Sequence, residues 1–268
     1  MLRSALSLAC AVIAACSHVR WDELLLAQAL GSQPIVLLGE VHDNAAQHAL
    51  RARALRHLLE SGTRPALLME QFDRDRQPEI DHAMAQPGAT TDAVIAAAGA
   101  QNAGWAWPLY QPYVALALEY RLPLLAANVS RADARRVSTE GLAAGGFESA
   151  VPADIGSYQT RAIVDSHCGM IDAVQARRMA ASQVARDQFM AHLLLENSAR
   201  GAVLLAGNGH VRADMGVPRW LPASARQRSV AIGVLETDDA DTGAFDRVFT
   251  TPAQTRADPC DGMRRPVR

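Results

Sequence analysis

Glu40 and His42 stand two residues apart in Gly39-Glu40-Val41-His42, and a tetrapeptide of the same form, Gly207-Asn208-Gly209-His210, recurs late in the chain. A carboxylate beside an imidazole can bind a divalent metal or take a proton from water. Glu70 adds a second acid directly after the apolar run Pro65-Ala66-Leu67-Leu68-Met69. Glu40, His42, Glu70 and His210 are therefore the candidates for hydrolytic chemistry or for a metal site of mixed oxygen and nitrogen ligands. No local spacing such as His-x-x-x-His accompanies them. The bland alternative is that they satisfy one another and nearby backbone amides. Glycine at each motif lets backbone approach a ligand closely.

A second kind of chemistry is written in Trp105-Ala106-Trp107-Pro108-Leu109-Tyr110-Gln111-Pro112-Tyr113, which holds half of the four tryptophans and half of the four tyrosines. Such a concentration of rings suits a flat apolar ligand, or simply packs one layer on another. A tyrosine can also be an axial ligand to haem iron. Tyr110, Tyr113 and Tyr158 are named on that ground, and Trp107 and His167 complete the cofactor-binding candidates.

These residues need a scaffold. Pro34-Ile35-Val36-Leu37-Leu38 and Ala202-Val203-Leu204-Leu205-Ala206 are short apolar runs of the kind buried on both faces in parallel sheets. Each ends at one of the Gly-x-x-His motifs, where open α/β sheets place their ligands. The pattern predicts an α/β fold, a mostly parallel central sheet flanked by helices. His42-Asp43-Asn44 can cap a helix running to about Gly62, which carries Ala46, Leu50, Ala54 and Leu58 inward and Arg51, Arg53 and Arg56 elsewhere. Residues 74–121 read as helices inserted as a cap, 122–127 as a strand, 141–157 as loop and 170–199 as a long helix. A strand into Gly207, a short helix after His210 and strands at 229–235 and 245–249 follow, and the tail holds no clear element.

The 268 residues allow one large α/β domain, and a net charge of −2 gives no field favouring nucleic acid. All 26 basic residues are arginine. Residues 1–15 read as an exported signal with Arg3 before an Ala-rich apolar stretch. Ile13-Ala14-Ala15-Cys16 resembles a lipobox, which would make Cys16 the lipid-bearing first residue of a 16–268 domain. Ser17, in place of Asp, does not point to inner-membrane retention. Cys168 and Cys260 remain in a disulfide-permissive compartment, where a bridge would tie the tail to the body and the alternative is two free thiols.

Taken in order, Leu37-Leu38-Gly39-Glu40-Val41-His42-Asp43-Asn44, Met69-Glu70-Gln71-Phe72, Ala126-Ala127-Asn128, His167-Cys168-Gly169-Met170, Arg186-Asp187-Gln188-Phe189-Met190-Ala191 and Gly207-Asn208-Gly209-His210 resemble the ChaN family. Those are bacterial haem-binding lipoproteins within a wider group that includes Tiki, TraB and erythromycin esterases. The resemblance implies haem held at a homodimer interface with a tyrosine on the iron. It also implies a role in iron uptake, an outer-membrane location facing the periplasm, and an outer-membrane haem receptor as partner. For the related enzymes it implies instead a metal- or carboxylate-assisted hydrolase using the Gly-x-x-His residues.

Overall fold

The computed structural model describes residues 21–99 and 104–261; the expected signal segment, the expected lipobox and Cys16 lie outside them. A helix, α1, covers residues 21–30. Strand β1 (Ile35–Leu38) follows, then α2 (Ala45–Glu60) and β2 (Ala66–Asp73). Three helices, α3 (Gln77–Met84), α4 (Thr91–Ala97) and α5 (Trp107–Glu119), lead to β3 (Leu124–Asn128). Next come α6 (Arg131–Glu140), α7 (Ala153–Ser166) and the long α8 (Ala173–Asn197). The chain closes with β4 (Ala202–Leu205), α9 (Asn208–Val211), α10 (Ala223–Arg226), β5 (Ser229–Glu236) and β6 (Arg247–Thr251).

The six described strands form one sheet in the order β3-β2-β4-β1-β5-β6, and every pair is parallel. Both faces are covered, as the apolar runs require. Val36, Leu38, Leu67 and Met69 pack toward α1, α2 and α5, whereas Ile35, Leu37, Leu68 and Leu204 pack toward α8. Alternate residues of each strand thus feed two cores, which makes the molecule three layers deep.

Register sets the site. Leu38 and Met69 both lie opposite Leu205, so β1, β2 and β4 end level with one another. The residues that follow emerge together at the carboxyl edge of the sheet. Strand β2 runs on to Asp73 rather than stopping before Glu70, and its pairing with β3 is irregular between Met69 and Asp73. Irregularities of this kind re-aim side chains beside sites.

Other sequence expectations are corrected as well. The stretch 141–157, expected as loop, contains a 3-10 turn at Leu142–Gly145 and the start of α7. The short helix expected after His210 instead begins at Asn208 and contains that histidine. Arg51, expected to face away from the core, is fully buried, while Ala46 is exposed. Asn44 caps α2 as expected, its side chain accepting from the Gln47 N–H at 3.1 Å. Cys168 and Cys260 are joined by a disulfide that links the end of α7 to the C-terminal segment. None of the described helices is long and apolar enough to cross a membrane.

Candidate functional site

Two polar clusters sit side by side at the carboxyl edge of the sheet. The first is built on Glu40, which follows β1 and is almost wholly buried. Arg51 of α2 donates to Glu40 Oε2 through one guanidinium nitrogen and to the Leu38 carbonyl through the other at 3.0 Å. Tyr110 of α5 donates to Glu40 Oε1 at 2.7 Å, and His42 Nδ1 lies 2.9 Å from the same oxygen. Tyr113 approaches from below, its hydroxyl 3.3 Å from Arg51 and 3.2 Å from the His48 carbonyl. Burial pushes both phenols above the ordinary tyrosine range.

His48 is buried against this group. Its Nε2 is 3.0 Å from the His42 carbonyl, which only accepts, so the proton resides on Nε2. Burial lowers its pKa, and it stays neutral. The ring of His42 is the accessible member of the cluster, with 48% of its side chain exposed. Trp105 meets it edge-on with centroids 5.0 Å apart.

The second cluster is buried more deeply. Glu70 accepts from the Gly207 N–H at 2.8 Å and lies 3.5 Å from His210 Nε2. The other ring nitrogen of His210 is 2.5 Å from Asp187 Oδ1 on α8. Burial alone would push the Glu70 carboxyl up, but the charge and hydrogen bond of His210 outweigh it and bring the group to about 2. Burial would likewise lower His210, yet Asp187 and Glu70 together raise it to about 10. Asp187 and Glu70 thus favour the charged imidazole, while burial pushes the Asp187 carboxyl itself up despite its contact with His210.

That assignment has a measurable consequence. A histidine that keeps its proton up to about pH 10, against 6.5 unperturbed, contributes its full stability below pH 6.5 and loses it as pH rises through 10. Glu70, brought to about 2 from 4.5, contributes fully above pH 4.5 and loses its part as pH falls through 2. Thermal unfolding followed against pH should show stability declining on both flanks. Asp187→Asn should remove most of the alkaline decline while lowering stability at neutral pH; an unchanged alkaline flank would contradict the triad.

The glycines close the two motifs onto each other. A Cβ on Gly207 would come within 2.9 Å of the His42 ring, and one on Gly39 would collide with the side-chain oxygen of Asn208. Asn208 ties the loops together, its N–H donating to the Glu40 carbonyl at 2.9 Å and its side chain to the Val234 carbonyl at 2.7 Å.

Beside the motifs opens a cavity of about 430 Å³. One wall is Glu40, Val41, His42 and the Gly207–His210 turn; the other is the face of α7 carrying Tyr158, Gln159, Ala162, Ile163 and Ser166. Tyr158 is half-buried, with the Arg212 guanidinium 5.0 Å from its ring centroid. Its hydroxyl makes no hydrogen bond among the described residues. Burial raises its pKa, and Arg212 partly offsets that.

Glu40, His42, Glu70 and His210 thus meet at one edge, but each acid already has its own cationic partner, Arg51 for Glu40 and His210 for Glu70. Among the described residues no three His, Cys, Asp or Glu side chains are placed to hold a metal ion. A histidine that retains its proton to about pH 10 is a poor general base, leaving His42, backed by Glu40, as the one exposed imidazole here. The arrangement does not favour the hydrolytic reading. Trp107 stacks on Phe72 at 5.5 Å, packing α5 on the sheet, and His167 caps α7 with Nδ1 2.8 Å from the Ile163 carbonyl. Neither lines the cavity.

The motif reading misses Arg51 as a site residue and assigns no role to Asp187, although that acid stands in the Arg186–Ala191 motif. Their signal is positional: Asp187 falls on the buried seam Ala176, Ala180, Val184, Ala191 and Leu194 of α8, and Arg51 on the seam of α2. A charge on an apolar helical stripe requires a buried partner.

Fold and site together define a three-layered α/β protein with acid–imidazole pairs at the carboxyl edge of a parallel sheet. The chain belongs to the ChaN family of the Tiki superfamily, described as haem-binding uptake proteins, whose profile matches residues 26–221. The solved structure of ChaN from Campylobacter jejuni, described as binding haem cofacially, matches with a TM-score of 0.71 at 18% identity, over 84% of this chain and 89% of that one. An erythromycin esterase in its open conformation matches with a TM-score of 0.45 at 13% identity, over 87% and 79% of the two chains. The type III effector HopBA1 gives 0.48 at 14% identity, over 84% and 92%. At these identities the likeness to ChaN is one of fold. No protein with a curated description matches the sequence.

Proposed function

We propose that this chain is a haem-binding protein of the bacterial envelope, anchored by lipid at Cys16, that takes up haem between two copies with Tyr158 as the iron ligand. Family membership supports haem. The observation that carries the ligand assignment is the state of the three candidate tyrosines. Tyr110 is committed to Glu40, and Tyr113 is sealed against Arg51 and His48. Of the three only Tyr158 lines the cavity, and its hydroxyl makes no hydrogen bond among the described residues.

The donor set fits the group. The Arg212 guanidinium over its ring favours phenolate, but burial and the nearby acids Asp214, Asp241 and Asp187 hold the free phenol above its ordinary range, so ionisation of Tyr158 waits on the metal. Ala162 and Ile163 give the same wall an apolar surface for a flat ring. Bound haem supplies a ferric centre that accepts an anionic oxygen ligand. For that role Tyr158 gives up its phenolic proton, so binding should release a proton and weaken as pH falls.

The direct test is to titrate the protein lacking residues 1–16 with haem while recording absorbance and oligomer mass together. A saturable Soret band, accompanied by dimerisation, is the expected result. A folded protein that shows neither would overturn the proposal. Association with an outer-membrane haem receptor and a part in iron uptake follow from the same reading, and co-purification from envelope extracts would test them.

A further inference from the structure

We infer that the exposed stripe Trp21, Leu24 and Leu25 of α1 seats this protein on the lipid bilayer that holds its N-terminal anchor; the inference rests on the lipid-anchor reading above. Large apolar side chains at positions i, i+3 and i+4 form one helical face. Here that face is open to solvent, with Trp21 65%, Leu24 45% and Leu25 50% exposed. Among the described residues the other large exposed apolar side chains, Met170 and Val174, lie elsewhere, in the loop before α8 and in its first turn.

The stripe is not a face waiting to turn inward. On the opposite side of α1, Leu26 and Leu30 are buried in the core with Leu55, Leu58 and Leu59. Glu23 is held by Arg53 at 2.5 Å. The helix is therefore fixed by one face, and the apolar face it shows is fixed in direction. Leu25 continues it into a groove floored by Val248 and Phe249 of β6.

The occupant follows from the chain between the anchor and the helix. Only residues 17–20 separate Cys16 from Trp21. Even fully extended, five residue steps span at most ~18 Å. A lipid on Cys16 places its backbone at the headgroup level, so the stripe is delivered within reach of the same interface. Tryptophan is enriched at that level because its amphipathic ring suits a boundary between apolar and wet surroundings. Arg20 precedes it and carries the charge that anionic headgroups attract. The lipid would then do more than tether: with the stripe as second contact, the domain is held in one orientation.

The test uses the full chain, expressed in a bacterial host and reconstituted without haem in phosphatidylethanolamine–phosphatidylglycerol vesicles whose acyl chains are brominated near the headgroup. Intact mass reports acylation, and tryptophan fluorescence reports contact with bromine. Acylated wild-type protein should be quenched, and Trp21→Phe should remove most of the quenching, roughly threefold or more if this ring is the interfacial one. Leu24→Ser with Leu25→Ser should reduce it while leaving acylation intact. Acylated protein quenched equally with and without Trp21 would overturn this inference and leave the anchor standing. A chain without acyl groups would overturn both. An acylated dimer that is unquenched, and that falls apart on the Leu24→Ser/Leu25→Ser change, would give the stripe to a second copy and overturn the membrane assignment.

Discussion

Tyr158→Phe is expected to cost at least ~100-fold in haem affinity, beyond the roughly 10–100-fold typical of losing a supporting partner rather than the ligand itself. The same change should leave stability within about 0.5 kcal/mol, because the hydroxyl makes no hydrogen bond among the described residues. Tyr110→Phe should behave in the opposite way. It removes a donor from the buried Glu40 carboxylate, at a cost of about 1–3 kcal/mol, and leaves the haem spectrum in place. Tyr113→Phe should resemble Tyr110→Phe. Titrations of the three variants, paired with urea unfolding, separate ligand from scaffold. A Soret band lost only in Tyr110→Phe would move the ligand to α5.

Arg51→Met should be the most destabilising single change at the site. Arg51 is completely buried and pairs with Glu40, whose side chain is 1% exposed. Removing the guanidinium leaves a carboxylate in the core with only neutral donors and the His42 ring around it. Breaking a buried pair from one side typically costs about 3–5 kcal/mol. At this chain length that corresponds to a fall in Tm of roughly 10 °C. Adding Glu40→Gln should restore part of the loss, since the unpaired charge goes with it. Urea unfolding of the two variants checks this. A loss below about 1 kcal/mol for Arg51→Met would mean that Glu40 is protonated in the fold or that water reaches it.

The sheet was legible where its strands are buried on both faces. Apolar runs such as Pro34–Leu38 and Ala202–Ala206 leave few readings besides interior strands, and the motifs at their ends mark the edge that carries the site. Strand order was not legible. Nothing local in β4 reveals that it lies between β1 and β2, because parallel pairing is decided by distant segments. Helix α7 hid in a stretch rich in Gly, Ala and Ser, where its buried Ile155, Gln159 and Ile163 give only a thin apolar stripe.

The site divided along the same line. Glu40, His42, Glu70 and His210 announce themselves by type and spacing. Arg51 did not, because a run of arginines on a helix reads as a solvated face, and its partner is eleven residues earlier on another element. Asp187 pairs with a histidine on a different strand end, 23 residues on. The tyrosines could be named from sequence, but their roles depend on which hydroxyl is already engaged, and that depends on how α5 and α7 pack.

Resonance Raman spectra of the haem complex, excited in the phenolate-to-iron charge-transfer region, test the central claim most directly. Phenolate ring modes should be present in the wild type, retained in Tyr110→Phe and Tyr113→Phe, and absent from Tyr158→Phe. Phenolate modes that survive in Tyr158→Phe, or a saturably bound haem showing none in the wild type, would contradict the account.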